Sequence, residues 1–171
     1  NMINNALQMQ KKLGRMDGES KALSHMASLK GILGNHEDAL RINLKNLEYK
    51  QELEDAIGEA GIMMEIGVNY HDLNQLEIAK KHYIQSLNLS RKIGHRKVEC
   101  ASLGNLGRIC MRNSEYQLSE RYFQDALQIA REVQNCRYIV TSLQSLGILF
   151  RRMRSFQKAE KYFSEALEVS T

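Results

Sequence analysis

The sequence predicts an all-α protein of stacked antiparallel helical hairpins, and three observations predict it. Positions recur every 40 residues: Gly67, Gly107 and Gly147 align, as do Leu87, Leu127 and Leu167, and Tyr83, Phe123 and Phe163. A fixed period of this length marks a stack of repeats, each burying the apolar face of its neighbour. The 171 residues contain no proline and 11 glycines, so few breakers interrupt helices. Within a period the apolar residues fall three and four apart, the spacing that puts them on one helix face. Ala79, Ser119 and Ala159 keep the same phase, and Ala27, Ala39 and Leu47 extend it one period upstream, with Ala27 in the glycine's place.

Counting by the period places each element. Residues 1–17 align with the second helix of a repeat, Ala6 with Asn46 and Leu7 with Leu47, and the first helix of that unit is missing. Complete repeats are expected over 18–57, 58–97, 98–137 and 138–171, so nine helices are predicted, the first unpaired. In the 58–97 repeat, Met63, Ile66, Gly67 and Tyr70 form one apolar stripe. Leu76, Ala79, Tyr83, Ser86, Leu87 and Ser90 form the other. Polar stretches of about four residues, 72–75, 112–115 and 152–155, suit the turn of a helical hairpin. Asn35 with Asp38, Asn74 with Glu77 and Ser114 with Gln117 have the spacing of a capping box and mark helix starts. Gly94 reads as a C-terminal stop. Glu54 and Gln134 stand at its matching positions, so that stop is not expected to repeat.

The glycine column carries the packing argument. A glycine inside a helix costs about 1 kcal/mol against alanine, so three in one phase call for close helix approach. Gly107 is expected against Ser119 and Gly147 against Ala159. The 18–57 repeat departs from the pattern: Lys30 stands in the aromatic column of Tyr70 and Phe150, Asn43 in that of Tyr83, and Asn46 in the small-residue column of Ala126. Lys30 and Asn43 are expected to hydrogen-bond in place of packing.

Composition excludes several function classes. No apolar run approaches the length of a membrane span, and no basic-then-apolar leader opens the chain. Three cysteines, none in a CxxC pair, describe neither a disulfide framework nor a zinc knuckle, which fits a reducing, cytoplasmic setting. Cys110 lies in the aromatic packing column and reads as a small buried hydrophobe; Cys136 falls in a turn between repeats. His25, His36, His71, His82 and His95 include no pair four apart, and no phosphate-cradling glycine motif occurs. Neither an enzyme, a metal site nor a cofactor is expected. Charge is uneven: residues 1–90 hold 10 Lys/Arg against 12 Asp/Glu, and residues 91–171 hold 14 against 8, with ten of the twelve arginines. The basic half favours an acidic partner. An RNA-binding solenoid is a third reading, disfavoured because Tyr83, Phe123, Phe150 and Phe163 are claimed by the core rather than offered for base stacking.

Leu103, Leu106, Gly107, Ser119, Phe123 and Ala126, and again Leu143, Leu146, Gly147, Phe150, Ala159, Phe163 and Ala166, resemble the tetratricopeptide repeat signature, here with a period longer than the usual 34 residues. The run Asn105-Leu106-Gly107-Arg108 and the helix end Leu127-Gln128-Ile129-Ala130-Arg131-Glu132 are similar to the repeats of Pins-type spindle-orientation adaptors. The resemblance implies a right-handed superhelical solenoid whose first helices line a concave face. It implies a protein–protein interaction scaffold that takes a peptide or partner helix there. The alternative it implies is a peptide-sensing regulatory domain of a larger signalling protein or transcription regulator. By spacing, the groove positions are Met64, Val68 and His71, then Gly104, Arg108, Met111 and Arg112, then Gln144, Ile148, Arg151 and Arg152. Arginine forks around Met111 and Ile148 suit an acidic segment with apolar anchors. Ser24, Ser28, Met64, Val68 and Gly104 stand where the family's carboxylate clamp has Lys and Asn, so a free C-terminus is the poorer ligand. The apolar stripe Met2, Ile3, Ala6, Leu7 and Met9 lacks a hairpin partner, and self-association through the ends is expected.

Overall fold

A computed structural model describes the backbone of residues 2–170 and the side chains of residue 9 and residues 11–169. The described residues form eight helices: α1 (Met2–Ile32), α2 (His36–Glu52), α3 (Ala56–Asp72), α4 (Leu76–Lys92), α5 (Arg96–Arg112), α6 (Tyr116–Glu132), α7 (Cys136–Arg152) and α8 (Phe156–Ser170). The protein is an all-α helix-hairpin solenoid. From α2 to α7 every helix has 17 residues, and three-residue turns separate them. The 40-residue period is thus two equal steps of helix and turn.

Each turn is the same object. Its middle residue has left-handed φ at Gly34, Glu54, Asn74, Gly94, Ser114, Gln134 and Arg154. The N–H groups of that residue and the next bond back to carbonyls three and five residues earlier, as in Glu54 to Gln51 (3.0 Å) and Asp55 to Lys50 (2.9 Å). This pair of bonds closes the last helical turn and satisfies carbonyls the helix leaves open. The stop read at Gly94 therefore does repeat at Glu54 and Gln134. Two backbone hydrogen bonds per turn hold those residues in a conformation their side chains disfavour. The same geometry corrects two helix starts: Asn74 and Ser114 are left-handed turn residues, not caps. Asn35 is an N-cap but makes no side-chain capping bond, whereas Asp55 caps the Gly58 N–H at 2.8 Å.

The expected break near residue 17 does not occur, and the described residues hold eight helices rather than nine. Gly14 falls 20 residues before Gly34, in phase with the turns, yet α1 runs through it. Nothing lies within 4 Å of where a Cβ at Gly14 would be. On that side of α1 a turn would lose helical hydrogen bonds and gain no described neighbour. Met9 is exposed; Met2, Ile3, Ala6 and Leu7, named with it, have side chains outside the described residues.

The chain divides into two compact units, Asn1–His82 and Tyr83–Thr171. In the first, α2 packs against both α1 and α3. Its interior is partly polar: Ser20 donates to Asn46 Oδ1 at 2.7 Å, Asn46 donates to Ser24 Oγ at 2.9 Å, and Asn43 donates to Asn69 Oδ1 at 2.9 Å. Lys30 and Asn43 do form polar contacts in place of aromatic packing, but with separate partners, since Lys30 pairs with Asp38 at 2.9 Å.

In the second unit α5 packs on α6, α6 on α7, and α7 on α8. Phe123, Leu127, Leu143, Leu146, Leu149, Phe150, Ala159 and Ala166 form a continuous core. The glycine column is a clearance for rings: a Cβ on Gly107 would sit 2.5 Å from Phe123, and one on Gly147 2.6 Å from Phe163. Ser119 meets Gly107 through its hydroxyl, which donates to the Gly107 carbonyl at 2.8 Å. The small residue and the aromatic four positions later thus share the work of joining the hairpin.

Candidate peptide-binding site

In the first unit a groove of about 580 Å³ runs between α1 and α3 above α2. Small side chains open it. Ser24, Ala27, Ser28 and Gly31 come from α1, and Gly58 and Gly61 face them from α3. Met64 and Val68 lie together on its α3 wall. His71 is half-buried at the end of α3, with its Nδ1 3.4 Å from Asp72 Oδ1, and does not line the groove. Spacing alone passed over Glu65, although 65, 68 and 72 share one face at helical intervals. Much of Glu65 is open to solvent, yet enclosure of its carboxyl pushes the pKa up. Lys50, the groove's cation, is already paired with Asp55 at 2.8 Å.

In the second unit α5 and α7 lie side by side. Met111 packs against the core cluster, and Ile148 is half-buried. Arg108, Arg112, Gln144, Arg151 and Arg152 are exposed. Arg108 donates to Asn105 Oδ1, one turn earlier. Arg151 and Arg152 end α7, where cations face the negative end of the helix dipole. Neither makes an ion pair among the described residues. Arginines on α4, α5 and α6 are occupied instead. Arg91 and Arg96 both hold the buried Glu99 carboxylate, at 3.0 and 2.7 Å, and Arg131 pairs with Glu165. A Cβ at Gly104 would meet nothing within 4 Å, so α5 is open at that level.

A second groove of about 850 Å³ was not anticipated and lies between α6 and α8. Phe150 and Tyr162 stack in it with centroids 5.5 Å apart, and the Lys158 ammonium sits 5.0 Å over the Phe150 ring. Its charges are mixed, with Glu120, Glu132 and Glu165 facing Lys158, Lys161 and Arg131.

Cys100 is buried, donates to the Ala126 carbonyl at 3.2 Å, and has its pKa pushed up to about 11 by burial beside Glu99. Cys110 is fully buried. Cys136 is exposed and is the first residue of α7 rather than part of a turn. Among the described residues no three His, Cys, Asp or Glu gather in metal-binding geometry, and no helix is long and apolar enough to cross a membrane.

No curated protein sequence matches the chain. Among solved structures, it is similar to the crystal structure of BtubC (BKLC) from P. vanneervenii, with a TM-score of 0.79 and 20% identity over 91% of this chain and 63% of that one. It is also similar to the apo form of RapI, with a TM-score of 0.77 and 15% identity over 90% of this chain and 43% of that one. The chain spans less than two thirds of either relative, and at these identities the likeness is one of fold. Models of the tetratricopeptide repeat match residues 60–93 and residues 98–171, together more than half of the sequence. With the helical hairpins and their glycine-to-ring joints, these matches show that the chain belongs to the tetratricopeptide repeat family.

Proposed function

We propose that the chain is a protein-interaction scaffold whose α5–α7 face holds an acidic segment of a partner with apolar anchors. The observation that carries this reading is the pair Arg151 and Arg152, exposed and without an ion pair among the described residues, one turn after the half-buried Ile148 on α7, with Arg108, Met111 and Arg112 on the neighbouring α5. A guanidinium fork can take a carboxylate through two hydrogen bonds while Met111 and Ile148 offer apolar contact. Met64 and Val68 serve the same role in the α1–α3 groove, and repeat units at 18–57, 58–97, 98–137 and 138–171 fit the 40-residue step. The similarity to Pins-type adaptors and a cytoplasmic setting belong to this reading. A second copy of the chain, held through the ends, is a further partner.

The test uses a labelled acidic peptide with leucines at helical spacing. Arg108→Glu combined with Arg152→Glu should weaken its binding by well over tenfold, more than about 1.4 kcal/mol. The loss should shrink at high salt as screening removes the electrostatic part. Unchanged affinity in the double variant, with helical circular dichroism intact, overturns the acidic-ligand reading.

A further inference from the structure

The α1–α3 groove of the first unit holds a carboxyl whose charge the chain leaves unmatched. Asp38, Asp55 and Glu132 are held below their ordinary values, each by a lysine or arginine hydrogen-bonded to it. Glu65 is pushed the other way, and enclosure is the cause. Among the described residues it has no hydrogen-bond or ion-pair partner. Lys50 lines the same groove but is held by Asp55 at 2.8 Å. Asp72, the other unpaired-looking carboxylate of the α3 wall, has imidazoles beside it, with His36 Nδ1 at 3.5 Å and His71 Nδ1 at 3.4 Å. Glu65 therefore combines protein on its flanks, an open side, and no cation.

The groove keeps room next to that carboxyl. Gly61 stands one turn before Glu65 on α3, and Gly31 lies on the α1 wall. A Cβ at either would meet nothing within 4 Å, in contrast to Gly107, which clears a ring. Deeper in, Asn43 and Asn69 line the groove and are 4% and 5% exposed. Asn43 gives its NH2 to Asn69 Oδ1 at 2.9 Å, and that bond leaves the Asn43 oxygen and the Asn69 NH2 outside it. One acceptor and one donor together are the complement of a peptide group, which offers one N–H and one C=O. Met64 and Val68 add apolar surface on the same wall.

We propose that this groove takes an arginine side chain of an extended partner segment, with the guanidinium on Glu65 and an adjoining peptide group on the Asn43–Asn69 amides. Arginine fits better than lysine, because its planar fork gives one carboxylate two hydrogen bonds and its weaker hydration lowers the cost of entering an enclosed site. Met64 and Val68 take its apolar stem. The site has the opposite charge preference to the α5–α7 face, and it rests on the scaffold reading only in taking a peptide as the ligand.

The test titrates the 171-residue chain with a short capped peptide of alanine and leucine around one arginine, followed through amide chemical shifts. Saturable shifts should concentrate at Gly31, Gly61, Glu65 and Asn69. Citrulline in place of the arginine keeps the shape and removes the charge, and should weaken binding by about tenfold or more. Glu65→Gln should do the same. Gly61→Leu should abolish binding by filling the space, with helical circular dichroism at the parent level because its Cβ meets nothing. Arg108→Glu with Arg152→Glu should bind the arginine peptide as the parent does, and Glu65→Gln should keep the parent's affinity for the acidic peptide, so each site stands or fails by itself. Equal affinity for the arginine and citrulline peptides overturns the proposal, as does the absence of saturable binding. Unchanged binding in Glu65→Gln, or in a folded Gly61→Leu, overturns the assignment to this groove. Capped arginine alone binding as tightly as the peptide overturns the amide contact and makes the ligand a small cation.

Discussion

Glu54, Gln134 and Arg154 hold left-handed backbone that only glycine adopts without a steric penalty. Replacing any of them by glycine should raise stability by about 1 kcal/mol, a rise of roughly 2–4 °C in melting temperature for a chain of this size. Asn74→Gly should gain less, since asparagine tolerates this conformation through its short polar side chain. Thermal unfolding of the four variants checks the ranking. Two glycines three residues apart on α5 separate clearance from mere tolerance. Gly104 faces open space, so Gly104→Ala should add up to about 1 kcal/mol of helix propensity. Gly107→Ala should destabilise, and Gly107→Leu should cost about 1–3 kcal/mol, because the Phe123 ring it would strike is itself fully buried. Denaturant midpoints of opposite sign for Gly104→Ala and Gly107→Ala are the expected result. The glycine column was legible in the sequence as a packing device. Its partner was not fully so, because a period tells which residues share a phase but not which atom of a neighbouring helix reaches furthest.

At the scale of the element, α3 depends on its first residue contact. Asp55 caps the helix and is held below its ordinary value near 3.8, first by the Lys50 ammonium hydrogen-bonded to it and then by the Gly58 N–H. A carboxyl with a depressed folded pKa lets the unfolded state take up protons first. Its contribution is therefore complete above the ordinary value and is lost as pH falls through that value toward the folded one. Asp55→Asn keeps an oxygen for the cap but removes the titration. The variant should lose less melting temperature than the parent on going from neutral pH to about pH 3. The helices themselves were readable from spacing, and so were most of their ends. The starts marked by Asn74 and Ser114 fall one residue early, because the left-handed turn residue takes the place that the capping spacing assigns to the cap. The turn is instead a fixed three-residue closure in which one residue ends a helix and the next begins another. The unbroken α1 could not be read, since Gly14 keeps turn phase and the period alone does not tell a turn from a helix that runs on through it.

At the scale of the whole molecule, stability in a repeat protein is a sum of units and their neighbour contacts, so a helix with an uncovered apolar row has fewer contacts to lose. Amide hydrogen exchange should accordingly be slowest in α5, α6 and α7, whose apolar rows are covered, and fastest in α1 and α8, which expose Leu29 and Leu167. Uniform protection along the chain would contradict that gradient. The family and its fold were legible because a 40-residue repetition is a global signal. The candidate groove was legible only in part: the spacing that picks out Met64 and Val68 gave no reason to single out Glu65 beside them. The recurring left-handed residue has a consequence for how such a chain can change. Adding or deleting one residue inside a helix turns everything after it by about 100° and carries the apolar row out of its seat. A cut made at one left-handed residue and rejoined at another two turns away exchanges like for like. Length in this molecule is therefore quantised, and a segment such as 95–134 could be duplicated or removed as one block with both seams unchanged.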